Sequence, residues 1–197
     1  MIDYKADPTF WQRFLKCAGY YNDTIDGRFG LNSRQAATDF EQASQDLADQ
    51  VGSFDQRSEE NIRTLLPAAQ RKAREFMKAV AAAGLTIKVI SGTRTFAQQD
   101  KLYEQGRSLP GNKVTKARGG QSNHNFGVAW DIGVFDNRTY LDESPTYRQV
   151  GDLGKTLDLE WGGDWQSFSD EPHFQIVKEV DLAAIAVSFA QGKAFVA

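Results

Sequence analysis

Two histidines are the residues of this 197-residue chain best suited to metal chemistry, and the chain has no others. His124 lies within SNHNFGVAWD, residues 122–131, and His173 lies within DEPHFQ, residues 170–175. Two imidazoles and one carboxylate form the ligand set of a catalytic zinc that keeps one coordination position open for water. The sequence therefore predicts a zinc hydrolase site, with one ion per chain, built from His124, Asp131 and His173.

Asp131 needs a cationic partner in this interpretation. It falls between Trp130 and Ile132 in a predicted strand, and an unpaired carboxylate is costly to bury there. A salt bridge to a nearby basic residue, with two structural histidines, is the alternative to a metal. The combination of both histidines with a buried aspartate among Gly-rich turns favours the metal.

The composition narrows the class of protein. Hydrophobic residues make up 41% of the chain, charged residues 25%, and the net charge is -3, so no basic surface for nucleic acid is expected. The single cysteine, Cys17, excludes an intrachain disulfide and is expected to be a buried apolar residue rather than a nucleophile.

The N-terminus lacks the basic and apolar regions of a signal peptide, and no apolar run is long enough to insert in a membrane. We expect a monomer made in the cytoplasm that acts elsewhere only after release.

Residues 1–66 are predicted to form a small three-helix domain. Helical spacing covers residues 8–20, a second helix begins near Asn32 as N-cap, and a third ends near Leu66. An Asp-Gly turn separates the first two helices.

This segment resembles the peptidoglycan-binding domain of cell-wall hydrolases. The resemblance rests on Gly19-Tyr20-Tyr21, on the turn Ile25-Asp26-Gly27-Arg28-Phe29-Gly30, and on Ser33, Ala36, Ala37 and Phe40. It implies that peptidoglycan is the partner of this domain and that Tyr20, Asp26 and Phe29 belong to the wall-binding module. A structural bundle whose aromatic residues form only its core is the alternative.

Residues 67–197 are predicted to form an α+β domain with a small antiparallel sheet flanked by helices. Thr95 and Gln98 form a capping box, which places Arg94 at a strand-to-helix turn. The Gly-, Lys- and Arg-rich residues 107–123 are expected to form a long loop. The other predicted elements are helices at 68–83, 145–157 and 181–190 and strands at 85–91, 127–134 and 174–177. Ser144 is the predicted N-cap of the helix at 145–157, and Pro145 is its predicted first residue.

The same domain resembles the zinc peptidases that include D-alanyl-D-alanine carboxypeptidases, D-alanyl-D-alanine dipeptidases and L-alanyl-D-glutamate endopeptidases. Four motifs occur in the order of that family, namely Ser91-Gly-x-Arg94-Thr, Ser122-x-His124-x-x-Gly127-x-Ala129-x-Asp131, Trp161-Gly-Gly-Asp-Trp165 and Asp170-x-x-His173. The short catalytic domain and the combination of Trp-Gly-Gly-Asp-Trp with Asp-x-Pro-His most closely resemble the phage and bacillus L-alanyl-D-glutamate endopeptidases.

The resemblance implies a role for each motif residue. Asp170 would be the general base and Arg94 the donor to the developing oxyanion. In a regular strand Glu171, rather than Asp170, would share a face with His173, although Pro172 can break that register. The family pattern favours Asp170.

Three further residues are predicted to lie near the substrate. Ser122 is expected to bind a substrate carboxylate or support a metal ligand, with loop capping as the alternative. Trp161 and Trp165 are expected to contribute to substrate binding chiefly as cleft wall and core. Lys113, Lys116 and Arg118 could attract the acidic stem peptide or simply form a solvated basic loop.

These inferences predict an endolysin-like peptidoglycan hydrolase that cleaves the bond between L-Ala and D-Glu. The alternatives are a D,D-carboxypeptidase or dipeptidase acting on D-Ala-D-Ala termini, and a non-catalytic wall-binding protein with a vestigial zinc site.

Overall fold

The computed structural model describes residues 2–176 and 182–195, and these residues form an α+β fold. The predicted fold class is confirmed, because several helices surround a small antiparallel sheet and further helices precede it. The α-helices of the described residues are α1 Pro8–Cys17, α2 Leu31–Val51, α3 Gln56–Ile62, α4 Pro67–Ala82, α5 Phe96–Glu104, α6 Pro145–Thr156 and α7 Leu182–Gln191.

Side-chain caps explain where several helices begin. The Thr95 side chain accepts from Gln98 N while the Gln98 side chain accepts from Thr95 N, so the predicted capping box is confirmed. Ser144 caps α6 ahead of a proline in its first turn, as predicted. The predicted N-cap of the second helix is wrong, because Asn32 lies inside α2 and its amide donates to Asp23 Oδ2 at 2.7 Å.

The sheet has the strand order β1-β2-β5-β4, and β3 pairs with the far end of β2. All the pairs are antiparallel. The predicted third strand begins one residue earlier than expected, at His173, and its expected end at Val177 lies outside the described residues. The strands are β1 Ile87–Ser91, β2 Ala129–Asp136, β3 Thr139–Leu141, β4 Glu160–Trp161 and β5 His173–Gln175.

The chain divides into two compact units, of which the first comprises Met1–Gln42, Thr93–Gly127 and Val180–Ala197. Its interior is aromatic. Phe14 packs edge-on against Phe40, with ring centroids 5.5 Å apart. Phe126 contacts Phe189 in the same way, at 5.3 Å. Such pairs add about 0.5–1.5 kcal/mol beyond the area they bury, so residues far apart in sequence hold this unit together.

The second unit comprises Ala43–Gly92 and Val128–Glu179 and contains the sheet. The rings of Trp130 and Phe174 stack across β2 and β5 at 6.4 Å, and Phe76 of α4 lies 4.6 Å from Phe174. Helix α3 is joined to β1, because Ser58 Oγ accepts from Val89 N at 2.9 Å and Asn61 Nδ2 donates to Val89 O at 3.0 Å. These bonds use backbone groups of an edge strand that would otherwise be open to further pairing.

The helices expected in the N-terminal segment are present, but the third ends at Ile62 rather than near Leu66. Because α3 packs with the sheet-containing unit, the compact units do not follow the predicted division into 1–66 and 67–197. That division remains a prediction about functional modules. None of the helices in the described residues has both the length and the apolarity needed to cross a bilayer.

Candidate metal centre

The β2–β5 ladder brings Asp131 and His173 together. The two residues are direct partners in the antiparallel register, and directly opposite residues project from the same face of a sheet. His173 Nδ1 lies 3.2 Å from Asp131 Oδ1, with side-chain exposures of 6% and 19%. The sequence indicated that the Asp131 carboxylate needs a partner, and in the structure His173 is that partner.

His124 is presented by a short 3-10 helix, Asn123–Phe126. Gly127 ends that helix with φ of 70°, a left-handed conformation that glycine adopts without steric cost. Phe126 is fully buried, which anchors the helix directly after the histidine. The helix thus presents His124 on a supported backbone.

The potential ligand atoms of His124, Asp131 and His173 all lie within 4.8 Å of one another. Zinc bonds to histidine nitrogen and carboxylate oxygen are about 2.0–2.2 Å long, so ligand atoms around one ion must be close neighbours. Both histidines are buried, at 1% and 5% exposure. The donor atoms, their spacing and their burial therefore fit a divalent metal, and the assignment of these three residues as ligands remains a proposal.

Opposing effects set the protonation of His173. Burial lowers the pKa of its imidazole, but the hydrogen bond and charge of Asp131, the hydrogen bond to Gln175 and the charge of Asp170 together raise that pKa above its ordinary value. The surroundings of His173 therefore favour a positive charge, as expected for a position that could hold a cation.

Asp170 and His173 are the two ends of one tight turn. His173 N donates to Asp170 O at 3.1 Å, and Asp170 N donates to Gly162 O at 2.9 Å. Because residues 170–172 form a turn and β5 begins only at His173, the strand alternation that would favour Glu171 does not apply. The Glu171 carbonyl accepts from Trp161 Nε1 at 2.7 Å. Asp170 remains the proposed base.

Arg94 is tied to the histidine-bearing helix through its backbone. Its N–H donates to His124 O at 3.0 Å, and its carbonyl accepts from Asn125 Nδ2 at 2.9 Å. Asn125 is fully buried and also accepts from Gly120 N at 2.9 Å. Sequence reasoning missed this asparagine, although its position directly after His124 was a signal. Asn125 positions Arg94 relative to His124.

The two tryptophans of the Trp-Gly-Gly-Asp-Trp run have different surroundings. Trp161 is 1% exposed and belongs to the hydrophobic core, so it has almost no surface to offer a substrate. Trp165 is half-buried and its ring centroid lies 4.9 Å from that of His173. Its predicted contact with substrate remains a prediction.

Ser122 precedes the 3-10 helix at the N-cap position, where its side chain makes no capping hydrogen bond. Lys113, Lys116 and Arg118 are all exposed. The Arg118 guanidinium lies over the ring of Tyr103 at 4.4 Å, which fastens this part of the loop to α5. Both the predicted binding role of Ser122 and the predicted attraction of acidic peptides to the loop remain untested.

The Asp26-Gly27 turn is organised by Gln12, which is fully buried. Gln12 Nε2 donates to Asp26 Oδ1 at 2.8 Å, and Gln12 Oε1 accepts from Gly27 N at 2.8 Å. The hydrogen bond from Gln12 is the largest influence that lowers the pKa of the Asp26 carboxyl. Phe29 stacks on Tyr4 with centroids 5.4 Å apart. Asp26 and Phe29 therefore maintain the turn in this structure.

Tyr20 is the wall-binding candidate that borders a cavity. Its ring packs edge-on against Phe40 at 5.6 Å. The cavity beside it has a volume of about 390 Å³ and a mostly polar lining that also includes Asn22, Asp23, Asn32, Gln35 and Asp39. An aromatic ring among amides and carboxylates can contact both the faces and the hydroxyls of a sugar.

Comparison with known proteins places the chain in a family. A family model described as D-alanyl-D-alanine carboxypeptidase, of the M15 peptidases, matches residues 115–176. The peptidoglycan L-alanyl-D-glutamate endopeptidase CwlK of Bacillus subtilis (strain 168) is 36% identical over 126 residues, which cover 57% of this chain and 74% of CwlK. The chain belongs to the M15 peptidase family.

Two solved structures are partly similar to this chain. The L-Ala D-Glu endopeptidase ChiX of Serratia marcescens is 28% identical, with a TM-score of 0.49 over 63% of this chain and 89% of ChiX. VanYB, solved in complex with D-Alanine-D-Alanine, is 20% identical, with a TM-score of 0.45 over 66% of this chain and 79% of VanYB. The M15 match at 115–176 includes both histidines, Asp131 and Asp170, whereas Arg94 precedes it.

Proposed function

We propose that this M15 peptidase is a peptidoglycan hydrolase that cleaves the L-Ala–D-Glu bond of the stem peptide. The observation that carries the proposal is the convergence of ligand atoms from His124, Asp131 and His173 within 4.8 Å, on a chain 36% identical to CwlK. Zinc held by these residues would supply a Lewis acid that lowers the pKa of water and polarises a carbonyl.

The chain's own residues then carry the proton and the charge of hydrolysis. Asp170 accepts a proton from the attacking water and passes it to the nitrogen of the leaving D-Glu residue as the C–N bond breaks. Arg94 donates hydrogen bonds to the oxyanion that develops on the carbonyl oxygen. The backbone of Arg94 is hydrogen-bonded to His124 and Asn125, which holds its Cα beside the histidine-bearing helix.

Mass spectrometry of digested sacculi tests this function. The zinc-loaded chain should release fragments with a new amino-terminal D-Glu, and a chelator should stop that release. A His124→Ala variant serves as the control that lacks one ligand. Failure of the zinc-loaded chain to cut sacculi, together with tight binding to them, would favour a non-catalytic wall-binding protein.

A D,D-carboxypeptidase or dipeptidase acting on D-Ala-D-Ala termini is the second candidate. It is favoured by the family model over residues 115–176, whose description is D-alanyl-D-alanine carboxypeptidase. The same digestion distinguishes the two activities, since free D-alanine or D-Ala-D-Ala without new amino-terminal D-Glu would support the second candidate.

We further propose that the cavity beside Tyr20 binds peptidoglycan. An Asp39→Ala substitution in the full chain should weaken pelleting with sacculi, measured in an Asp170→Asn background to prevent digestion. Asp49→Ala is the matched control, because both aspartates accept from a glutamine one helical turn earlier, at 2.8 and 2.9 Å, and Asp49 does not line the cavity. Equal pelleting of the two variants would refute the binding role.

An endolysin-like origin and release from the cytoplasm remain predictions from the sequence.

A further inference from the structure

We propose that Gln175 is a positioning residue that accepts a hydrogen bond from Nε2 of His173 and thereby directs Nδ1 toward the metal. This inference rests on the proposed zinc site. It concerns a side chain to which the sequence motifs assign no role.

Gln175 and His173 are alternate residues of strand β5, so their side chains project from the same face. His173 Nε2 lies 3.0 Å from Gln175 Oε1. Only 5% of His173 and 4% of Gln175 is exposed. A hydrogen bond between two buried groups is costly to leave unmade, and this contact therefore constrains the imidazole strongly.

An amide oxygen and a carboxylate face the two ring nitrogens of His173. Gln175 Oε1 can only accept, so its contact with Nε2 is a hydrogen bond only when Nε2 carries a hydrogen. Asp131 Oδ1, 3.2 Å from Nδ1, also accepts, and a metal ion held by Nδ1 and Asp131 would take the place of the proton between them. The opposite tautomer would direct a lone pair of Nε2 at the amide oxygen. Gln175 thus favours the form of His173 that can donate electrons on the Asp131 side.

Neighbouring side chains keep this arrangement in place. The Trp165 ring lies 4.9 Å from the His173 ring at an interplanar angle of 44°. Trp165 Nε1 donates to Glu160 Oε1 at 2.7 Å, and Glu160 is the direct partner of Gln175 across β4 and β5. One hydrogen bond and one ring face therefore restrain the imidazole in separate directions, as the outer partners of metal-binding histidines commonly do.

Histidine-selective ¹⁵N NMR can test the tautomer directly, because the chain contains only two imidazoles. In the zinc-loaded full chain, His173 should show a protonated Nε2 and a metal-shifted Nδ1. Gln175→Met removes the acceptor at similar volume and should move the Nε2 proton signal upfield, as a lost hydrogen bond does, and give about 10–100-fold weaker zinc binding by chelator competition. Gln175→Glu keeps an acceptor and should preserve the pattern. A His124→Ala variant assigns the two rings.

Gln70→Met is the matched control, because Gln70 is also fully buried and accepts from Ser44 Oγ at 2.7 Å. It should lower the unfolding temperature without changing zinc affinity. An Nδ1–H pattern in the zinc-loaded wild-type chain, or unchanged zinc affinity in a folded Gln175→Met variant, would overturn the inference. Absence of zinc binding by the wild-type chain would instead refute the proposed function, so the two failures are distinguishable.

Discussion

A single methyl group added at Gly162 should displace the proposed base from the candidate metal centre. A Cβ at this position would lie 2.5 Å from the Asp170 carbonyl oxygen and 3.0 Å from His173 Cβ. To reach an ordinary contact of 3.4 Å, the Asp170 oxygen must move by roughly 0.9 Å. Gly162 O also accepts a hydrogen bond from Asp170 N at 2.9 Å. The added methyl group would therefore push against the Asp170 carbonyl and also disturb this hydrogen bond.

The expected cost has two parts. Overpacking of this kind typically lowers the free energy of unfolding by about 1–3 kcal/mol. Misplacing a catalytic group by about 1 Å can reduce the rate by about 100-fold. We therefore expect Gly162→Ala to fold and to lose at least about tenfold in kcat/KM, with zinc affinity also reduced because His173 is contacted.

Gly84→Ala separates a general loss of stability from damage to the site. Gly84 has φ of +73° and nothing within 4 Å of an added Cβ, so alanine there costs about 1–2 kcal/mol through backbone strain alone. Urea unfolding, zinc competition and hydrolysis of a stem-peptide substrate would be measured for both variants. Wild-type kcat/KM in Gly162→Ala, alongside a stability loss equal to that of Gly84→Ala, would refute the reasoning.

Three further predictions concern the proposed base, the oxyanion donor and the buried thiol. Asp170→Asn should abolish peptide hydrolysis while zinc remains bound, whereas Glu171→Gln should stay active, as measured by release of new amino termini and by metal analysis. Arg94→Ala should reduce kcat by about 10²–10³ with little change in zinc affinity, and Arg94→Lys should restore part of that loss. Burial raises the pKa of the Cys17 thiol to about 12, so the thiol stays neutral at pH 8 and should react with an aromatic disulfide reagent roughly a thousand-fold more slowly than an exposed cysteine until urea unfolds the chain.

Each of these predictions has a result that contradicts it. An active Asp170→Asn enzyme with an inactive Glu171→Gln enzyme would transfer the role of base to Glu171. Equal kcat for Arg94→Ala and the wild type would show that Arg94 does not stabilise the oxyanion. Rapid labelling of Cys17 in the native chain would show that its side chain is accessible.

Local sequence was sufficient to predict where several helices begin. The capping box of Thr95 and Gln98 depends on residues three positions apart, and the start at Ser144-Pro145 depends on adjacent residues. Such contacts form within a single turn and require no distant partner. Strand β3 was missed because its residues, Thr139–Leu141, are largely exposed and are held by pairing with β2.

The sequence by itself determined which residue types are available to the site, since its only two histidines and Asp131 already form a metal-ligand set. Tertiary structure decided how they meet. The β2–β5 register places Asp131 opposite His173, the turn at 170–172 removes the alternation argument for Glu171, and β5 directs Gln175 at His173 Nε2. These contacts depend on which strands pair and in which register, and that choice is made by burying distant residues such as Trp130 and Phe174 together.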